Sequence, residues 1–88
     1  MTASYDVRIS ARAERDLLRL PDKIGAACVA FIFGPMSEHP YRVGGPLRGQ
    51  LAGLRSARRG NYRVIYRVGD ENRRLEIVHI DHRGDVYR

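Results

Sequence analysis

One cysteine, one lysine and no long apolar run are what this 88-residue chain has least of, and each scarcity excludes something. With Cys28 alone there is no internal disulfide, which fits a reducing compartment. No apolar stretch approaches the roughly 20 residues that a membrane-spanning helix needs. The start Met1-Thr2-Ala3-Ser4-Tyr5-Asp6 lacks the charged and then apolar order of a secretory leader. The expectation is a cytoplasmic protein with no membrane partner. Familiar catalytic signatures are missing too: there is no P-loop, no GxGxxG after a strand, no GxSxG and no HExxH. No low-complexity run interrupts the chain.

What is present is a short globular composition, 43% hydrophobic and 30% charged. That length suits one domain, residues 1–88, and is too short for two independent cores. Sixteen Lys and Arg against ten Asp and Glu leave a formal charge of +6. Because Lys23 is the single lysine, fifteen of the sixteen cations are arginine. A solubilising surface can use lysine, whereas the planar guanidinium grips phosphate or carboxylate with two parallel hydrogen bonds and stacks on bases. A genome rich in G and C also enriches arginine codons, so placement matters more than number.

Tyr5, Val7 and Ile9 alternate with Asp6 and Arg8 in the period of a half-buried strand. Ser10 then offers an N-cap, and Ala13, Leu17 and Leu20 recur at helical spacing until Pro21 breaks the pattern. Pro21-Asp22 restarts it, and Ile24, Ala27, Cys28, Phe31 and Ile32 form an apolar stripe expected to end at Gly34-Pro35. Residues 36–53 hold six glycines and prolines and are expected to be a loop. Three strand-like runs follow, Leu54 to Arg58, Tyr62 to Val68 and Leu75 to Asp81, with hairpin joints at Gly60-Asn61 and at residues 69–72. A turn at Arg83-Gly84-Asp85 and a short last segment, Val86-Tyr87, close the chain. The order β-α-α-β-β-β(-β) predicts an α+β fold: a helical hairpin on one face of a small, twisted, mostly antiparallel sheet, with the other face free.

In the run from Tyr62 to Val68, the set Tyr62, Val64, Tyr66 and Val68 is expected to meet the helices, leaving Arg63 and Arg67 on the free face. The preceding run carries Arg55, Arg58 and Arg59, and Arg48 stands in the loop before it. Cations gathered across a hairpin are unfavourable unless an anion normally sits among them. A solvated edge with ion pairs to Asp70, Glu71 and Glu76 is the plainer account. Near the C-terminus His79, Asp81 and His82 raise a metal, but the spaced further ligands such a site needs are missing, and no metal or other cofactor is expected. Cleaving RNA without a metal takes a base for the 2′-hydroxyl, positive charge for the phosphorane-like transition state and an acid for the leaving oxygen. An imidazole such as that of His82 suits proton transfer, the Tyr87 phenol does so if arginines activate it, and Arg63 and Arg83 suit charge stabilisation. A packed terminal aromatic and a turn former would explain Tyr87 and Asp85 equally well.

Leu47-Arg48-Gly49, the stretch Gly60-Asn61-Tyr62-Arg63-Val64-Ile65-Tyr66-Arg67-Val68 and the stretch His82-Arg83-Gly84-Asp85-Val86-Tyr87, taken together, resemble the signature of RelE-like toxins of the RelE/ParE superfamily. The resemblance implies the toxin of a type II toxin-antitoxin pair: a ribosome-dependent, metal-independent endoribonuclease that cleaves messenger RNA in the decoding site by attack of the 2′-hydroxyl. It implies an acidic antitoxin partner, RelB-like or Phd-like, whose complex with the toxin binds operator DNA. It assigns Arg63 to the scissile phosphate, and Arg83 and Tyr87 to charge stabilisation and proton transfer. The best-known members carry a lysine pair near the positions of Leu54, Ser56 and Ala57, so Arg55 or Arg58 stands in and His82 competes with Tyr87 for the proton. Two other readings stay open. One is a ParE-like toxin that poisons DNA gyrase, and the other is a non-catalytic basic module that binds RNA.

Overall fold

The computed structural model describes residues 4–82, and Arg83, Asp85, Val86 and Tyr87 lie outside them. The chain opens with strand β1 (Asp6–Ile9) and passes into helix α1 (Ala11–Arg19). Ser10 caps that helix, its Oγ accepting the Ala13 N–H at 3.0 Å, which satisfies one of the donors every helix start leaves free. Leu20 and Pro21 break the chain before helix α2 (Asp22–Phe31).

Gly34-Pro35 does not end that second helix. The backbone runs on through a wider π-helical turn over Ile32–Met36, with Pro35 inside it, and Ser37 and Glu38 remain helical. Two forces explain the difference. Ile32 and Met36 are both fully buried, so leaving the helix at Gly34 would expose them. Ser37 Oγ donates to the carbonyls of Phe33 and Gly34 at 3.0 and 3.1 Å, which pairs its buried hydroxyl within the helical turn and ties the continuation together.

The expected loop contains a two-residue strand, β2 (Gly45–Pro46), and a single 3-10 turn over Gly49–Leu51. Strands β3 (Arg55–Arg59), β4 (Tyr62–Gly69) and β5 (Arg74–His82) complete a five-stranded sheet in the order β1-β5-β4-β3-β2. Only the β1–β5 pair is parallel. Pro46 has no N–H for a ladder, and it sits on the edge strand, where none is needed. The β3–β4 hairpin closes at Gly60, whose φ of 54° is the left-handed value that a tight two-residue turn takes.

The core lies between the helices and one face of the sheet. Ala13, Leu20, Cys28, Phe31 and Ile32 from the helical side meet Ala57, Val64, Tyr66, Leu75, Ile77 and Ile80 from the sheet. Among the described residues no helix is long and apolar enough to cross a membrane.

Candidate anion-binding sheet face

Residues directly opposite each other in a ladder share a face, so the register sorts the arginines. Tyr62, Val64 and Tyr66 of β4 are buried against the helices, as their alternation implies. Arg63, Ile65 and Arg67 therefore point to the other face. Arg63 lies opposite Arg58 on β3 and Asp81 on β5, so one rung runs Arg58, Arg63, Asp81 across three strands.

Arg55 and Arg59 lie opposite Tyr66 and Tyr62, which puts them on the helix side and away from Arg63. Both have structural partners there. The Arg55 guanidinium donates to the carbonyls of Gly44 at 3.0 Å and Tyr41 at 3.3 Å, and it lies 4.8 Å from the centre of the Tyr41 ring. It ties the 41–44 segment to β3. Arg59 sits 4.4 Å above the Phe31 ring, holding the hairpin against α2. Arg48 is exposed ahead of the 3-10 turn.

On the outer face, ion pairs remove some of the remaining cations. Arg67 meets Glu76 at 3.0 Å and Arg8 meets Asp6 at 3.1 Å. Among the described residues no ion pair neutralises Arg58 or Arg63. Two like charges facing each other on one rung repel by roughly 0.2–1 kcal/mol, which an anion between them would reverse. The outer face is thus neutralised toward the start of β5 and cationic toward its end. His82, the last residue of β5, lies opposite Tyr62 on the helix side, and its buried Nε2 finds no partner among the described residues. Arg83 and Tyr87 follow it in sequence, outside the described residues.

A second cationic feature adjoins that end of the sheet. Strand β1 stops opposite Ile77, so the rest of β5 has an open edge, and α1 occupies it. Ser10 Oγ donates to the Val78 carbonyl at 2.9 Å, and Asp16 Oδ2 accepts both the Ile80 N–H at 2.9 Å and His79 Nδ1 at 2.8 Å. Burial alone would raise the Asp16 carboxyl. The Ile80 N–H, His79 and the neighbouring Arg12 outweigh it and hold the group below the usual carboxylate range. Arg12, Arg15 and Arg19 line the cleft between α1 and this edge, about 480 Å³ in volume, with His79, Asp81 and His82 on its strand side.

Read for apolar positions alone, α1 offers no site. The signal lies on its polar side, where Arg12, Arg15 and Arg19 recur at i, i+3 and i+7. Of the residues whose spacing raises a metal, His79 meets Asp16 of α1 through Nδ1, and its Nε2 lies 3.7 Å from Asp81 on the same strand. Among the described residues no cluster of three His, Cys, Asp or Glu side chains is placed to hold a metal ion.

A profile described as the ParE toxin of the type II toxin-antitoxin system parDE matches residues 7–87. The chain is 57% identical over 84 residues to Toxin RelE of Mycobacterium tuberculosis, a match covering 96% of this chain and 87% of that one. It is 54% identical over 84 residues to Toxin RelG of the same organism, covering 96% and 97%. The crystal structure of the toxin-antitoxin complex RelBE2 from M. tuberculosis contains a chain that superposes with a TM-score of 0.90 at 52% identity, covering 92% of this chain and all of that one.

Proposed function

The chain belongs to the ParE toxin family of type II toxin-antitoxin systems, with RelE-named relatives at more than half identity, and from that premise we propose that it is a ribosome-dependent endoribonuclease. Its substrate on this reading is messenger RNA in the decoding site. The observation that carries the reading is the rung of Arg58 facing Arg63 on the outer sheet face, both without an ion pair among the described residues.

Attack of a 2′-hydroxyl on the adjacent phosphorus gives a 2′,3′-cyclic phosphate and frees the 5′-oxygen of the next nucleotide. Charge builds on the non-bridging oxygens as the phosphorane forms, and preset cations stabilise it there. Arg63 holds the scissile phosphate and Arg58 takes the place of the family's lysines. Arg83 adds charge, and Tyr87 moves the proton, since His82 lies opposite Tyr62 on the helix side, away from Arg63. A partner-free toxin would be harmful in the cell, so the cationic face is also where an acidic, RelB-like antitoxin is expected to act. The toxin-antitoxin complex, rather than the toxin alone, then binds operator DNA.

Purified protein added to a translating extract, followed by primer extension on the messenger, tests the proposal. Cuts within the decoding site that need ribosomes, and that fall about 10²–10³-fold for Arg63→Ala, are the expected result, by analogy with loss of one transition-state donor. The ParE description favours a second reading, poisoning of DNA gyrase. Intact messenger together with blocked DNA supercoiling would replace the first reading with that one. RNA binding with no cleavage, unchanged by Tyr87→Phe, would leave a basic binding module.

A further inference from the structure

We infer that the cleft between α1 and the open edge of β5 is a second phosphate-binding stretch, continuing the path of a single RNA strand beyond the Arg58–Arg63 rung. The inference rests on the reading of RNA as the anion that this rung holds.

Three observations carry it. The first is alignment. Arg58, Arg63 and Asp81 stand in register across β3, β4 and β5, and α1 lies next along the same line, because β1 has already ended. Neighbouring strands are about 4.8 Å apart. A strand of RNA crossing the sheet end at right angles therefore passes from the rung to the cleft within a few nucleotides.

The second is charge. Arg12, Arg15 and Arg19 share one side of α1, and no ion pair within 4 Å neutralises any of them among the described residues. Asp16 also lines the cleft, but its Oδ2 is already bonded to Ile80 and His79, and Asp81 adds one more carboxylate on the strand wall. Three guanidinium groups against two carboxylates, one of them already bonded to the Ile80 N–H and His79, leave the cleft cationic and suit a chain of phosphates.

The third is an unmet donor or acceptor. His82 forms part of the cleft wall, and its buried Nε2 lacks a partner among the described residues. Leaving such an atom unpaired is destabilising, because it has given up water without gaining a partner. A phosphate oxygen or a ribose hydroxyl in the cleft is the right kind of partner. The cleft's volume of about 480 Å³ admits a nucleotide, and its lining is polar and not apolar, unlike a groove for a hydrophobic helix.

The test is the anisotropy of a short fluorescein-labelled single-stranded RNA, titrated with the full chain over a range of salt concentrations. The variant Arg12→Gln/Arg15→Gln/Arg19→Gln is compared with a charge-matched control, Lys23→Gln/Arg42→Gln/Arg74→Gln, whose residues lie away from the cleft. All six positions are exposed, and circular dichroism melts confirm that both variants fold. If the cleft holds three phosphates, its variant lowers the slope of log affinity against log salt by about 2, at roughly 0.7 per contact on a single strand, and the control keeps most of it. Affinity at low salt falls at least about tenfold more for the cleft variant than for the control. Equal losses in the two variants overturn the inference, since charge alone would then explain them. So does a cleft variant that binds RNA as the wild type does but loses an acidic antitoxin peptide, because the cleft is then a protein-docking surface. If the wild type cuts no messenger on ribosomes while the cleft variant still loses RNA, the nuclease reading fails and this inference stands.

Discussion

The contact most open to quantitative test is the Asp16 carboxylate, which bridges α1 and β5 across 63 and 64 positions of sequence. Its side chain is 11% exposed, so solvent screens it little. In Asp16→Ala the Ile80 N–H loses its acceptor in a buried setting, at a cost of about 1–3 kcal/mol, and the charge-assisted bond from His79 is lost as well. Together these come to about 3 kcal/mol, which for a domain of this size lowers Tm by roughly 12–24 °C. Asp16→Asn keeps an oxygen for Ile80 and gives up the charge, so its loss is about 1 kcal/mol, or roughly 4–8 °C. Differential scanning calorimetry at neutral pH measures both. The pH dependence supplies a second check. A folded carboxyl held below its usual range stabilises fully above the unfolded value of about 3.9, and the gain disappears as pH falls through the folded value. The wild type is therefore expected to lose more stability than Asp16→Asn on acidification below about pH 4. An Asp16→Ala variant melting within about 4 °C of wild type, under 1 kcal/mol on the same scale, would refute the assignment.

Gly44 is backed onto β3 and β4, where an added Cβ would collide with the Ser56 carbonyl oxygen and lie 2.6 Å from Tyr66 Oη. Gly44→Ala is expected to destabilise by about 2 kcal/mol or more, because the nearest obstacle is backbone, and urea unfolding reads the change. Asp70 accepts the hydroxyls of both Tyr5 and Tyr41, an arrangement that raises both phenols and lowers the carboxyl. Asp70→Asn should therefore move two tyrosines to lower pH in an alkaline ultraviolet titration, and an unchanged curve would contradict the bridge. Burial pushes the Cys28 thiol up to about 11, so a disulfide reagent should modify it at pH 7 about 10²-fold more slowly in the native protein than after denaturation.

Much of the fold was legible because its signals are local. Strand alternation, the Ser10 cap, the Pro21 break and the Gly60-Asn61 turn each act within a few residues, and all appear where expected. The end of α2 was misjudged for the opposite reason. Pro35 marks a local stop, but the burial of Ile32 and Met36 is a tertiary gain that overrides it. The edge strand Gly45–Pro46 went unseen because two residues carry no periodicity, and their pairing depends on Ser56 and Arg55 elsewhere in the chain.

The candidate site divides along the same line. That arginine dominates the charge, and that Arg63 points away from the core, follows from the sequence by itself, since a strand's period of two places Arg63 opposite in sense to Val64. Which of Arg55, Arg58 and Arg59 stands beside it is a question of β3 register, and a slip of one residue exchanges the faces. Packing settled that register by burying Ala57 against the helices, which sends Arg58 outward and turns Arg55 and Arg59 to structural contacts. The α1 cleft needed the tertiary structure altogether. Its two walls are about sixty residues apart in sequence, and they meet only because β1 ends early and leaves backbone groups of β5 that a helix, through Ser10 and Asp16, must satisfy.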